Sequence, residues 1–276
     1  MTLSRDEPGN GSPLLFLLVT CALVAFVVAG VLGDRPSTGG GLPLGFAPST
    51  VPTAVPRDGT PVQPVGGPAV SHVGLEGHRP ATPPGPQFYV PGNAVALTFD
   101  DGPDPRWTPQ VLDLLRANHV HATFCLIGRS ARAHPALVRR IVAEGNALCD
   151  HTWDHDERLP DASAAHVQAE IRSAAVAIES ASGGVWPRYF RAPGGNWSPA
   201  ELAQAGVLGM RPLAWSVDPR DWSRPGTPHI LRAILSARPG DVVLCHDGGG
   251  DRAQTVAALA RALPVLRGRG LSFVLP

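Results

Sequence analysis

The stretch Val95-Ala96-Leu97-Thr98-Phe99, closed by Asp100-Asp101-Gly102-Pro103, decides the fold class of this chain. A short apolar run that ends in a turn sequence predicts a buried strand. Six further runs of this kind follow, at residues 122–127, 147–149, 186–190, 213–217, 241–245 and 271–275. Segments with helical periodicity separate them, at residues 108–118, 135–144, 161–182, 198–204, 228–237 and 253–267. Strands that alternate with helices predict an α/β fold whose mostly parallel sheet is covered by helices on its faces.

The chain ahead of this α/β region divides into segments of different composition. Residues 1–13 are a short mixed segment, and residues 14–33 form an apolar run of twenty residues without charge or proline. Twenty helical residues rise about 30 Å, the thickness of a bilayer core, which predicts a membrane anchor. A signal segment that is cleaved is the alternative. Residues 34–91 hold 13 Pro and 10 Gly and predict a disordered linker to a domain at residues 92–276.

The charge balance excludes one class of partner. The chain carries 23 basic and 23 acidic residues, a formal net charge of zero. A protein that holds nucleic acid by its phosphates has a clear basic excess, so no nucleic-acid binding is expected. Every basic residue is Arg, which excludes chemistry that requires a Lys amine, such as a Schiff base.

Polar residues that can bind metal or transfer protons follow the predicted strands. Parallel sheets place their chemistry at the carboxyl ends of the strands, which meet at one rim. The rim sequences are Asp100-Asp101-Gly102-Pro103, Asp150-His151-Thr152-Trp153-Asp154-His155, Arg191-Ala192-Pro193-Gly194-Gly195, Asp218-Pro219-Arg220-Asp221-Trp222 and His246-Asp247-Gly248. Their common position predicts a single site.

His151 and His155 are candidate metal ligands. A spacing of four residues predicts that both imidazoles lie on one side of a single helical turn. Together with one carboxylate from the Asp100-Asp101 pair they would make a three-ligand site, which suits zinc and leaves a position for water. Two ordinary surface histidines are the alternative.

Asp100 and Asp101 are adjacent, so at a strand end they are expected to point to different sides. One of them can then bind metal while the other accepts a proton. His246 is a candidate general acid on the same rim, and a hydrogen-bonded core histidine is the alternative. Arg191 is suited to orienting a carboxylate. Gly194 can bring a backbone N–H close to a developing oxyanion.

The rim sequences, with Thr98-Phe99 ahead of the first and Leu244-Cys245 ahead of the last, resemble the five ordered motifs of the polysaccharide deacetylases. This is the NodB-homology, or carbohydrate esterase family 4, group. The resemblance extends from Ala94 to the C-terminus and implies a distorted (β/α)7 barrel, in agreement with the seven predicted strands. It also implies a metal-dependent hydrolase that removes N-acetyl groups from an amino-sugar polysaccharide, peptidoglycan or chitin-like, and releases acetate.

The resemblance implies roles for the proton-transfer residues. Asp100 would be the general base, held by a salt bridge to Arg191. His246 would be the general acid, and Asp221 would orient it and stabilise its charge. These four residues come from four different rim sequences.

The resemblance also implies a metal site and a substrate wall. The divalent metal, usually zinc with cobalt or nickel as alternatives, would have the ligands Asp101, His151 and His155. The N–H of Gly194 would help to stabilise the oxyanion, and Trp222 and Leu244 would line the acetyl methyl group. Many family members carry an aromatic residue at position 194, so Gly194 removes a surface on which a sugar could stack.

Two other functions stay open at this point. One is an O-acetyl esterase that acts on acetylated xylan, and the other is a glycan-binding domain without catalysis. The reactive residues of all five motifs are present, which favours the deacetylase. A cell-wall polysaccharide as the substrate predicts a domain outside the cell, attached to the membrane through residues 14–33 or secreted after cleavage. The catalytic domain is expected to be monomeric.

The cysteines give one further expectation. Cys125 and Cys149 fall in the second and third predicted strands, which are expected to be neighbours. Export allows a disulfide, so we expect a Cys125–Cys149 bridge, with three buried thiols as the alternative. Cys245 would then be free and buried beside His246.

Overall fold

The computed structural model describes residues 85–276 of the chain. The predicted segments 1–13 and 14–33 and most of the linker 34–91 lie outside the described residues. Between residues 85 and 276, no helix has the length and apolar character needed to cross a membrane.

Seven strands within residues 85–276 form one sheet: β1 Ala94–Asp100, β2 Thr123–Leu126, β3 Ala147–Asp150, β4 Tyr189–Phe190, β5 Arg211–Pro212, β6 Val242–His246 and β7 Ser272–Phe273. The strand order is β5-β4-β3-β2-β1-β6, with β7 also paired to β1, and every one of these pairs is parallel. β1 is buried along its whole length. The sheet curls into a half-barrel, which confirms the predicted α/β fold of parallel strands.

Seven α-helices cover this sheet within the same residues: α1 Thr108–Ala117, α2 Gly128–Ala133, α3 Pro135–Ala143, α4 Ala164–Ser182, α5 Pro199–Val207, α6 Thr227–Leu235 and α7 Ala253–Gly268. Six of them match predicted helices, and α2 was missed because its sequence has no apolar side chain larger than Ala. α4 begins later than predicted, at Ala164, because the side chain of Ser163 accepts a hydrogen bond from the N–H of His166 and caps the helix there. α5 begins as predicted, with a capping box between Ser198 and Glu201.

The fifth predicted strand, residues 213–217, differs from the structure. The regular ladder with β4 is confined to Arg211–Pro212, and the residues beyond it make isolated contacts. The N–H of Leu213 donates to the carbonyl of Phe190 in β4, whereas Val217 forms a parallel bridge with Val243 in β6. Residues 213–217 therefore cross from β4, near one end of the strand order, to β6 at the other end. They leave β4 too early to extend the ladder between β4 and β5.

The last residues of the predicted linker contact the domain. The N–H of Gln87 donates to the carbonyl of Pro212, and the N–H of Val90 donates to the carbonyl of Gly240. The side chain of Val90 is buried. The packed part of the chain therefore begins ahead of the predicted boundary at Gly92.

The main core lies between the sheet and the helices and includes Leu97, Phe99 and Phe124, all fully buried. The rings of Phe99 and Phe124 stack at 5.2 Å between centroids. Removing each such side chain from water contributes about 1.5–3 kcal/mol. This packing fixes β1 and β2 and thereby the position of Asp100 at the end of β1.

The cysteine prediction is confirmed. Cys125 in β2 and Cys149 in β3 are direct partners in the parallel register and form a disulfide. Cys245 is free and buried in β6. Cys21 lies outside the described residues. The bridge ties together two strands that end at the rim.

Candidate metal and proton-transfer site

The rim of the sheet holds a cavity of about 500 Å³ at the carboxyl ends of the strands. Eight of the ten predicted site residues line it: Asp100, Asp101, His151, His155, Gly194, Trp222, Leu244 and His246. The other two, Arg191 and Asp221, are buried and hydrogen-bonded to lining residues. The structure therefore brings all ten together.

Asp101, His151 and His155 can hold a metal ion. One ligand atom from each lies within 4.8 Å of the others. Oδ1 of Asp101 is 3.7 Å from Nε2 of His151 and 3.4 Å from Nε2 of His155. This oxygen is buried and has no hydrogen-bond partner, which is costly unless a cation or donor satisfies it. One carboxylate and two imidazoles make a donor set that fits a divalent ion such as zinc.

The orientation of His151 is fixed by the neighbouring strand. Its Nδ1 lies 2.7 Å from the carbonyl oxygen of Arg191, so Nδ1–H donates and Nε2 is left facing Asp101. Burial lowers the pKa of His151 and outweighs the opposing effect of the Asp100 charge. The neutral imidazole that a metal ligand requires is therefore favoured.

The segment from His151 to His155 is not the helical turn that the spacing predicts. Thr152 has φ 63° and His155 has φ 67°, both in the left-handed region that non-glycine residues seldom adopt. The chain turns sharply and still brings both imidazoles to the cavity, with ring centroids 4.9 Å apart. Asp101 is also left-handed, with φ 72°. It does not point away from Asp100 as predicted, because Oδ2 of Asp100 and Oδ1 of Asp101 lie 3.5 and 3.7 Å from the same Nε2 of His151.

Asp100 is held as a carboxylate by a buried arginine. Its Oδ1 accepts a hydrogen bond of 2.7 Å from Nη1 of Arg191, which is fully buried. The remaining donors of Arg191 bind Thr98 Oγ1 and the carbonyls of Leu213 and Ala214. Burial by itself would raise the pKa of Asp100, but the charge of Arg191, with smaller contributions from nearby histidines, lowers it.

His246 at the end of β6 has a different environment. Its Nδ1–H donates to Oδ1 of Asp221 over 2.7 Å, and its backbone N–H donates to Oδ2 of the same carboxylate. Thr255 in α7 donates to Oδ2 of Asp221 as well. Burial would lower the pKa of His246, but the hydrogen bond and charge of Asp221 raise it to about 8. The carboxylate of Asp221 therefore favours the protonated form of His246.

The substrate-wall candidates line the cavity. Gly194 has φ 61°, and a Cβ placed there would come within 3.1 Å of Asn196 Nδ2 and 3.3 Å of Glu157 Cδ. Glycine suits this left-handed position because it has no Cβ. Trp222 is 49% exposed, whereas Leu244 is buried. One aromatic face is therefore open at the cavity.

Two residues that the sequence reasoning left without a role also belong to this rim. Glu170 in α4 accepts hydrogen bonds from the backbone N–H groups of Trp153 and Asp154. Asp247 accepts a 2.5 Å hydrogen bond from Thr108 Oγ1, and burial, with the charge of Asp101, raises its pKa to about 7. The signal for Asp247 was its position directly after His246 in the sequence. The signal for Glu170 was a single carboxylate on the apolar face of an otherwise amphipathic helix.

A curled parallel sheet whose rim gathers carboxylates and imidazoles around one cavity is a framework on which enzymes build active sites. The polysaccharide deacetylase profile matches residues 89–213 of the chain. The chain belongs to this family, the NodB-homology or carbohydrate esterase family 4 group, and is a polysaccharide deacetylase.

Named relatives and solved structures agree with this membership. A chitooligosaccharide deacetylase of Azorhizobium caulinodans is 41% identical over 192 residues, which are 65% of this chain and 91% of that protein. A peptidoglycan-N-acetylglucosamine deacetylase of Bacillus cereus is 42% identical over 193 residues, 67% of this chain and 88% of that protein. The structure of a family 4 carbohydrate esterase from Streptomyces lividans in complex with acetate superposes with a TM-score of 0.62 at 33% identity, covering 67% of this chain and 94% of that one.

Proposed function

We propose that the domain hydrolyses N-acetyl groups on an extracellular amino-sugar polysaccharide, with chitin-like chains and peptidoglycan as the candidate substrates. The observation that carries the proposal is the placement in one cavity of a carboxylate fixed by Arg191, that of Asp100, and an imidazole fixed by Asp221, that of His246. Asp100 has a lowered pKa and is a ready base, and His246 has a raised pKa and is a ready acid. Such pairs mark the acid and base of a hydrolysis.

The metal site gives the proposed reaction its activating group. A divalent ion on Asp101, His151 and His155, for which we propose zinc with cobalt or nickel as alternatives, would polarise the acetyl carbonyl and lower the pKa of water. His151 keeps Nε2 free for this purpose, because Nδ1–H is already bound to the carbonyl of Arg191.

Asp100 is the proposed general base. Its Oδ1 is bound to Arg191, and Oδ2 lies 3.5 Å from Nε2 of His151, beside the proposed ligands. Oδ2 can therefore accept a proton from water as the water oxygen bonds to the carbonyl carbon. Arg191 keeps the carboxylate ionised and fixed, which is how a positioned base differs from one in solution.

His246 is the proposed general acid. Nδ1–H is bound to Asp221, so the proton on Nε2 is the one available for transfer. As the bond between the carbonyl carbon and nitrogen breaks, Nε2 protonates the sugar nitrogen, and the products are acetate and a free amine. The N–H of Gly194 is the proposed donor to the oxyanion, and Trp222 and Leu244 are proposed to hold the acetyl methyl.

The relatives support the substrate class. They are a chitooligosaccharide deacetylase and a peptidoglycan-N-acetylglucosamine deacetylase, so an N-acetylated sugar polymer is common to both.

We further propose that this domain is monomeric. We also propose that it lies outside the cell, on the membrane through residues 14–33 or released after cleavage.

An acetate-release panel tests this function. The purified protein, supplied with zinc, is incubated with chitooligosaccharides, peptidoglycan and acetylated xylan, with Asp100→Asn as the matched control. We expect acetate and free amine in equal amounts from an N-acetylated substrate, and little from Asp100→Asn. Acetate from xylan alone would indicate an O-acetyl esterase. Glycan binding without acetate from any substrate would indicate a non-catalytic domain.

A further inference from the structure

The turn that carries His151 and His155 has an unusual set of hydrogen bonds. All four backbone N–H groups from residue 152 to residue 155 donate to side-chain oxygens. Thr152 N–H binds Asp150 Oδ1 at 2.8 Å, and His155 N–H binds Thr152 Oγ1 at 3.1 Å. The two N–H groups between them, at residues 153 and 154, bind a single oxygen, Oε2 of Glu170, at 3.1 and 3.3 Å. Of the three residues that accept these bonds, only Glu170, on α4, is distant from the turn in sequence.

The turn needs outside support because its backbone is unfavourable by itself. Thr152 and His155 both have positive φ, a conformation that persists in non-glycine residues only when the surroundings enforce it. α2 supplies part of that support: the N–H groups of Gly128 and Arg129 donate to the carbonyls of Thr152 and Trp153. α2 thus binds the carbonyls of the turn, and Glu170 binds its N–H groups.

Glu170 lies where a carboxylate is not expected. It is 7% exposed on α4, and Val167, one turn before it, and Ile171, next to it, are core residues. Among residues 85–276, Glu170 takes part in no salt bridge. Burying a carboxylate is costly unless it is hydrogen-bonded. The two N–H groups of the turn provide that compensation.

We propose that Glu170 is a positioning residue of the metal site: it holds the turn so that the imidazoles of His151 and His155 converge on Asp101. The inference rests on the metal site of the proposed function and extends it to a residue outside the five motifs. Partners that orient ligands in this way are worth about 10–100-fold in metal affinity. The contribution of Glu170 comes from the reach of its oxygen to two N–H groups, more than from its charge.

Metal affinity, measured separately from activity, tests the role. Zinc dissociation constants are determined by competition with a chromophoric chelator for the full chain and for three variants. We expect Glu170→Ala to bind zinc about 10–100-fold more weakly. Glu170→Gln keeps an oxygen at the same reach and should lose less zinc affinity than Glu170→Ala, because its hydrogen bonds are weaker than those of the carboxylate but are still made. Glu170→Asp keeps the charge but is shorter and should fall between Gln and Ala.

Two matched controls separate positioning from general loss of stability. Glu179→Gln changes a carboxylate on the same helix that makes no side-chain hydrogen bond among the described residues, and it should leave zinc affinity unchanged. Val167→Ala opens the core beneath α4 and should lower the melting temperature of the metal-free protein without changing zinc affinity. The visible absorption of bound cobalt should change in Glu170→Ala and not in either control.

The outcomes distinguish this inference from the function on which it rests. Zinc affinity equal to the wild type in Glu170→Ala, or an equal loss in Val167→Ala, would overturn the positioning role. If Glu170→Ala does not fold, the zinc affinities of Glu170→Gln and Glu170→Asp decide the matter. Tighter zinc binding by Glu170→Asp than by Glu170→Gln would overturn the positioning role. A wild-type protein that binds no zinc or cobalt would remove the metal site itself, and the proposed function with it.

Discussion

His151 and His246 are buried imidazoles on the same rim, and they differ in the group that accepts the hydrogen bond from Nδ1–H. Nδ1–H of His151 donates to the backbone carbonyl of Arg191, whereas Nδ1–H of His246 donates to the carboxylate of Asp221. Burial lowers the pKa of both. The pKa of His151 stays low, while the hydrogen bond and charge of Asp221 raise that of His246 to about 8.

In the proposed mechanism, this difference separates the site into a metal half and an acid half. When a neutral carbonyl accepts the hydrogen bond from Nδ1–H, the imidazole stays neutral and its Nε2 can bind a metal. When a carboxylate accepts that hydrogen bond, the imidazole stays protonated and the proton on Nε2 can be transferred. A histidine in this cavity can therefore suit metal binding or proton donation, and the acceptor of its Nδ1–H bond decides between the two.

Removing each histidine is the strongest way to break the comparison. We expect His246→Ala to lower kcat by about 10²–10⁴, the range for a lost proton-transfer group. His151→Ala should lose activity at least as severely because it removes a proposed metal ligand. Only His151→Ala should lose zinc affinity, which a chelator competition measures beside kcat. Loss of zinc from His246→Ala would show that the two halves are not separate.

The adjacent aspartates divide in the same way. Asp100→Asn keeps all three proposed ligands, so zinc should still bind while kcat drops by at least about 10², and added zinc should not restore it. Asp101→Asn removes a ligand, so affinity and activity should fall together, and excess zinc should restore part of the rate. Acetate release at a series of zinc concentrations measures both. Wild-type turnover in Asp100→Asn would show that Asp100 is not the base.

The pH dependence of turnover sharpens the comparison at the acid half. If His246 is the general acid, as proposed, its protonated form is the active one, so kcat should hold below its pKa of about 8 and fall as pH rises through that value. Asp221→Asn removes the charge that raises this pKa, and burial then favours the neutral ring. The alkaline limb should move to lower pH, toward or below the ordinary value of about 6.5. An unchanged limb in Asp221→Asn would separate that limb from His246.

The start of the folded domain gives the smallest expected effect. A protein that begins at Gly92 lacks the contacts of Gln87 and Val90, whereas one that begins at Gly85 keeps them. Their loss should lower the free energy of unfolding by a few kcal/mol, because the gain from one buried Val and three hydrogen bonds is partly offset by the entropy of ordering residues 85–91. Because the carbonyl of Gln87 accepts from Ala214 N–H, beside the carbonyls that hold Arg191, kcat should fall only a few-fold. Equal melting temperatures for the two proteins would show that residues 85–91 add nothing to the domain.

The sequence predicted the rim because a general rule applies to it. Parallel strands bring their carboxyl ends together, so Asp100, His151, Arg191 and His246 could be placed in one site from their positions after strands. The Cys125–Cys149 bridge followed from the same strand order. These predictions depend on which strands are neighbours and not on the conformation of any loop.

The turn at residues 151–155 and the role of Glu170 could not be predicted in this way. A spacing of four residues fits a helical turn as well as this sharper turn with two positive φ values, and the sequence holds no glycine to mark it. Glu170 acts across 16 residues of chain, through backbone N–H groups that carry no sequence signal. α2 lacked the apolar periodicity by which a helix is recognised.

The order of the strands also sets the order in which the site becomes complete on a growing chain. The proposed ligands are all present once His155 has been made, and β1, β2 and β3 are neighbours in the sheet. The proposed acid arrives later with β6, which pairs with the other side of β1. At about 5–20 residues per second, roughly 5–20 seconds of translation separate the two events. For that interval, each nascent molecule carries the residues of a metal site without those of a hydrolase.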